Sequence, residues 1–293
     1  MNVVFAFCTY NRADRLRQLV NAIRQQDCTQ PFQILVVNNN SSDETESVLQ
    51  ALAAEPGIPL HYVNEEQQGI SHELPQPGLL NAAIDALANE DADCAGGRII
   101  NHFEQDQRPA WLGDELLGFL AEIDHGDKAF WITDDSTPIW TSNVGYRMEL
   151  FRNNPSLRFD VRYSREGKGV GGGEDVIMLQ KLLKMKAKIR YRPDMVVEHR
   201  VEDWRLKKTY FFKLHFTSGM RSALYELQAY KQTLFGAPYF MYLQALKKTT
   251  KALLLGFRKH PEHVRQGMNA SHVCGMIYGC YLRNKRQTPP LPK

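Results

Sequence analysis

Val3-Val4-Phe5-Ala6-Phe7-Cys8-Thr9-Tyr10-Asn11-Arg12 opens the chain with an apolar run that breaks into polar residues just before a helical period. Leu16, Leu19, Val20 and Ile23 then recur at helical spacing with Arg and Gln between them, the pattern of a helix that buries one face. Ile34 to Val37 is a second charge-free run, as expected of a parallel strand covered on both faces. It ends in Asn38-Asn39-Asn40-Ser41-Ser42-Asp43, a turn whose side chains cap helices, before a helix through Val48, Leu49 and Leu52. Leu60 to Val63 reads as a third strand, Pro77 to Leu87 as a helix, and Cys94 to Ile100 as a further strand. Strands alternating with helices define an α/β fold with a mostly parallel sheet.

Further along, polar residues again gather where apolar runs stop. Ser142-Asn143-Val144-Gly145-Tyr146-Arg147 closes a strand and turn. Gly171-Gly172-Gly173-Glu174-Asp175 is the end of the densest glycine run and opens a helix through Val176, Leu179, Leu182 and Leu183. A glycine loop lets a carboxylate reach into a cleft and a substrate approach the backbone. Ile189 to Val197 then rises as a strand toward Glu198-His199-Arg200. In such sheets ligands sit beyond the carboxyl ends of the strands, where a helix start can offer N–H groups to an anion.

Beyond Trp204 the pattern predicts helices only, over 206–231, 238–257 and 262–283, with breakers at Gly236, Pro238, Gly256 and Pro261. The net charge of +3 hides a division at this point. Residues 1–204 carry 20 Lys and Arg against 31 Asp and Glu, and residues 205–293 carry 16 against 2. We therefore divide the chain into a body, 1–204, and a basic amphipathic helical extension, 205–293. Amphipathic helices of this kind can pack on the body, and Leu, Phe and Tyr interleaved with cations also suit an anionic membrane surface, while no nucleic-acid module is visible. No apolar run approaches the ~18 to 20 residues of a spanning helix. Five widely spaced cysteines suggest neither a disulfide framework nor a zinc site. With no basic region ahead of the first apolar run, a cytoplasmic location is expected.

The ordered set FCTYNR, VVNNNSSD, ELPQPGLL, GGRI, SNVGYR, GGGED and VEHRV resembles the family 2 glycosyltransferases of the GT-A fold, over roughly residues 1–204. The resemblance implies a nucleotide-sugar donor, UDP-linked by preference, and a glycan or lipid-linked acceptor in cell-surface polysaccharide synthesis. It implies that Thr9, Tyr10, Asn11, Arg12, Asn38 and Asn40 line the nucleotide pocket, with Asn38 where the family usually has an Asp facing the base. It places Asp175 as the base of an inverting transfer, with Glu174 orienting the acceptor and Asn143, Gly172 and Gly173 in the acceptor region. His199 falls where relatives have a residue near the Mg²⁺ or Mn²⁺ or the diphosphate.

One departure is physical. The segment from Gln67-Gln68-Gly69-Ile70-Ser71-His72 runs directly into Glu73-Leu74-Pro75-Gln76-Pro77, where the family inserts a helix and the strand that ends in an acidic Asp-x-Asp motif. Such a crossover needs ~10–12 residues, so roughly twenty are missing. Asp91-Ala92-Asp93 precedes the wrong strand to replace it. The loss is expected to strip the first strand of its inner neighbour, and it leaves a second expectation open: a catalytically impaired protein that binds nucleotide or glycan without turnover, or a deleted form of an active parent.

Overall fold

A computed structural model describes residues 1–65, 74–104, 108–163 and 170–286. The chain separates into two compact units: Met1–Asp106, Glu115–Gly167 and Gly173–Val201 form the first, and Gln107–Asp114, Lys168–Gly172 and Glu202–Lys293 the second.

The first unit begins with β1 (Val3–Thr9), α1 (Ala13–Arg24), β2 (Phe32–Asn38), α2 (Thr45–Ala54) and β3 (Leu60–Asn64). The three strands form a parallel sheet in the order β1-β2-β3, with Thr9 opposite Asn38 and Asn38 opposite Asn64 at its carboxyl edge. Leu16, Leu19, Val20 and Ile23 of α1 and Leu49 and Leu52 of α2 pack with Ile34 and Val36 of β2, the burial that the helical spacing requires.

A second sheet follows from β4 (Leu74–Pro75), α3 (Leu79–Ala88), β5 (Cys94–His102), β6 (Phe130–Ile132), β7 (Val144–Tyr146), α4 (Glu149–Asn153), α5 (Glu174–Lys184) and β8 (Ile189–Arg200). Its order is β4-β8-β5-β7, with β6 also on β8 and with β5 and β8 parallel. Val3, Phe5 and Phe32 pack against the core of this second sheet. Gln26, buried just beyond α1, joins the two further: its Nε2 donates to the carbonyl of Gln76 at 2.9 Å and its Oε1 accepts from Leu80 N at 3.4 Å. Among the described residues β1 pairs with β2 alone, so the sheet comes in two pieces with an open edge at β1. The junction Gln67 to Glu73, where a crossover is expected to be missing, lies outside the described residues.

The second unit holds α6 (Lys208–Tyr225), β9 (Thr233–Leu234), β10 (Ala237–Pro238), α7 (Tyr239–Phe257) and α8 (His263–Arg286). The expectation of helices only is corrected here, because β9 and β10 form a small antiparallel hairpin. A helical run cannot continue through its turn, where Phe235 and Gly236 both take positive φ, 49° and 84°.

The helices α6 and α8 run side by side in the same direction, with Lys208 Nζ near His263 Nε2 at one end (2.8 Å) and Arg283 donating to the carbonyl of Leu227 at the other (2.7 Å). No helix among the described residues is long and apolar enough to cross a membrane. All five cysteines are free thiols.

Candidate functional site

Two polar strand ends interlock at the carboxyl edge of the first sheet. Asn11 takes a left-handed conformation (φ 49°), which turns the chain from β1 into α1. Its N–H donates to Ser41 Oγ at 3.0 Å, and its Oδ1 accepts from Ser42 N at 2.7 Å. The N–H of Arg12 donates to Thr45 Oγ1 at 3.1 Å and that of Ala13 to Asp43 Oδ2 at 3.2 Å. The idea that this helix start offers free N–H groups to an anion is therefore corrected for these three donors, because the loop after β2 already satisfies them.

Asp43 also accepts from Thr45 N at 3.0 Å and Thr45 Oγ1 at 2.5 Å, so one carboxylate serves the starts of both α1 and α2. Burial pushes its pKa upward, but the hydrogen bonds from Thr45 and Ala13 outweigh it and hold the carboxyl below its ordinary 3.8. A lowered pKa gives stability that is present above the ordinary value and is lost as pH falls through the folded one. Asp43→Ala is expected to cost about 1–2 kcal/mol at neutral pH, as for the loss of a helix cap. Urea midpoints of the two proteins should converge as pH falls through the lowered folded-state value; a constant difference would contradict the assignment.

Beside this latch, Thr9, Asn38 and Asn39 are buried, Tyr10 and Arg12 are half-buried and Asn40 is exposed with φ 56°. A chain of amides fixes how Asn38 points. Glu46 Oε1 accepts from Asn64 Nδ2 at 3.1 Å, which turns Asn64 Oδ1 toward Asn38 Nδ2 at 2.9 Å. The atom left over is Asn38 Oδ1, buried and without a hydrogen-bond partner among the described residues. A buried acceptor of this kind can receive an N–H from a ligand.

At the second sheet, Asp175 lies in the first turn of α5. Gly173, immediately before this helix, has φ 120°, a conformation that suits glycine. Thr141 N donates to Asp175 Oδ1 at 3.1 Å and Thr141 Oγ1 bonds the same oxygen. Burial raises the Asp175 pKa, with the two Thr141 hydrogen bonds opposing the rise. Burial also raises the pKa of the Tyr146 phenol, to which the Asp175 charge contributes. Glu174 is buried beside Asp175 in the chain.

Asn143 is buried, and its Nδ2 bridges the carbonyls of Arg98 and Met195, both at 2.9 Å, where the β5–β8 register shifts. His199 is buried on β8 opposite Asn101. Gly172 belongs to the second unit, where its carbonyl accepts from Arg221 Nη1 at 3.1 Å. Thr141 is the site residue that sequence reasoning misses: it carries no motif signal, because its partner lies 34 residues away.

Among the described residues no three His, Cys, Asp or Glu side chains converge to hold a metal ion. Among the described residues, therefore, His199 is not joined by the further ligands of a protein-built cation cage.

The family model described as "Glycosyl transferase family 2" matches residues 5–74. That segment is similar to family 2 of the glycosyltransferases. It holds the Asn11–Asp43 latch and Asn38. A curated relative, "Uncharacterized glycosyltransferase YfnE" of Bacillus subtilis (strain 168), is 34% identical over 85 residues, which are 29% of this chain. The chain spans 21% of that relative's length. Among solved structures, "Mannosyltransferase PcManGT from Pyrobaculum calidifontis in complex with GDP-Man and Mn2+" aligns over 98% of this chain and 88% of its own, with a TM-score of 0.51 and 15% identity. At that identity the likeness concerns the fold, which is of the GT-A type.

Proposed function

We propose that this chain is an inverting glycosyltransferase that moves a sugar from a nucleotide-sugar, a UDP-sugar by preference, to a glycan or lipid-linked acceptor in cell-surface polysaccharide synthesis. The observation that carries the reading is the half-sequestered Asp175 carboxylate, held through Oδ1 by Thr141. It takes the proton of an acceptor hydroxyl as that oxygen attacks the anomeric carbon, and the bond from that carbon to the diphosphate breaks on the opposite face. A raised pKa suits this role by making the ionised carboxylate a stronger base. The leftover Asn38 Oδ1 supports a nucleotide whose base presents an N–H, as uracil does. Glu174, Asn143, Gly172 and Gly173 are assigned to the acceptor region, and Thr9, Tyr10, Asn11, Arg12 and Asn40 to the nucleotide pocket.

The GDP-mannose complex named above contains Mn²⁺. A divalent cation on the donor diphosphate would neutralise the leaving group. The place of work in this reading is the inner face of the cytoplasmic membrane, reached peripherally from the cytoplasm.

A second reading, binding without turnover, is favoured by the absence, among the described residues, of a strand on the other side of β1. Release of nucleoside diphosphate from UDP-sugars, with Mn²⁺ and with EDTA, separates the two. Turnover with acceptor present is the expected result. Saturable UDP binding with no release under either condition would favour the binding protein.

A further inference from the structure

Helix α7 is apolar on two sides. Met241 is buried among Ala223, Ala237 and Cys280. On the other side Leu243, Leu246, Leu253 and Phe257 are 70%, 67%, 69% and 92% exposed. Their spacing of three, seven and four residues places them in one stripe along the helix. Lys247, Lys251 and Arg258 are exposed and follow at four and seven residues, in a row beside that stripe.

Charge decides what the stripe meets. Between Glu226 and Glu262 the chain contains six Lys and Arg and no Asp or Glu. A second copy laid on this face would bring cations to cations with no carboxylate of the segment to pair them. An anionic bilayer supplies the missing charge and an apolar layer together.

We propose that α7 docks flat on an anionic lipid surface, with Leu243, Leu246, Leu253 and Phe257 in the boundary between headgroups and acyl chains and with Lys247, Lys251 and Arg258 on lipid phosphates. The inference deepens the membrane part of the proposed function and rests on it, naming the element that makes the contact. Its test needs neither donor nor acceptor, so a failure of sugar transfer and a failure of docking are distinguishable.

The full chain is sedimented with vesicles of phosphatidylcholine alone or mixed with phosphatidylglycerol, at low salt. Binding to the mixed vesicles is expected. Replacing Lys247, Lys251 and Arg258 by Ala should weaken it roughly fivefold per charge. Leu246→Gln with Leu253→Gln should abolish it, with unchanged circular dichroism and thermal unfolding because both side chains face outward. Equal binding by parent and variants, or no binding to the mixed vesicles, would overturn the proposal. So would a concentration-dependent dimer that the leucine variant dissolves while vesicles are ignored.

Discussion

Asp175→Asn is expected to lower kcat by roughly 10²- to 10⁴-fold, the range for loss of a general base, without destabilising the protein. The Asn side chain keeps an oxygen where Asp175 Oδ1 accepts both hydrogen bonds from Thr141, so the loop geometry should persist. What is lost is the ability to take a proton. Burial raises the Asp175 pKa above its ordinary 3.8, so the ionised form is disfavoured in the folded protein. The associated stability is complete below the ordinary value and is lost as pH rises through the folded one. The Asn variant should therefore gain on the parent in urea midpoint across that window and hold its advantage at neutral pH. The acid limb of kcat/KM should also vanish in the variant. An unchanged kcat would remove Asp175 as the base.

Gly219→Ala should produce the largest loss of stability. Alanine is favoured over glycine in a helix by about 1 kcal/mol, and propensity alone predicts a gain. At Gly219 of α6, however, a Cβ would sit 2.0 Å from the carbonyl oxygen of His272 on α8. The contact is reciprocal, since a Cβ on Gly275 would sit 2.0 Å from the Phe216 carbonyl oxygen and one on Gly279 2.3 Å from that of Met220. Backbone cannot swing aside as a flexible side chain can, so the two helices must separate. The net cost is expected to be about 3 kcal/mol. Gly256→Ala in α7 is the control, because nothing lies within 4 Å of its Cβ position and only the propensity gain remains. Denaturant midpoints of the two variants should move in opposite directions; a shift of both upward would refute the close α6–α8 contact.

Much of the fold was legible because its signals are local. The charge-free runs at Val3 to Cys8 and Ile34 to Val37 fall within β1 and β2, and the apolar positions of α1 are the ones it buries. The polar clusters after these strands were visible as candidate sites for the same reason. Their joining was not, because Asn11 reaches Ser41 and Ser42 and Asp43 caps a helix 30 residues earlier. Thr141 likewise acquires a role only when the fold sets it against Asp175.

The sequence by itself determined the alternation of strands and helices and the division of charge at residue 204. Only the tertiary structure decided which atom of Asn38 is left over, how closely α6 and α8 approach and which apolar side of α7 stays in solvent. The physical reason is that periodicity records which residues share a face, whereas burial depends on the neighbour that covers it. On α7, where two opposite sides are apolar, the covering partner alone makes Met241 core and leaves Leu246 and Phe257 exposed.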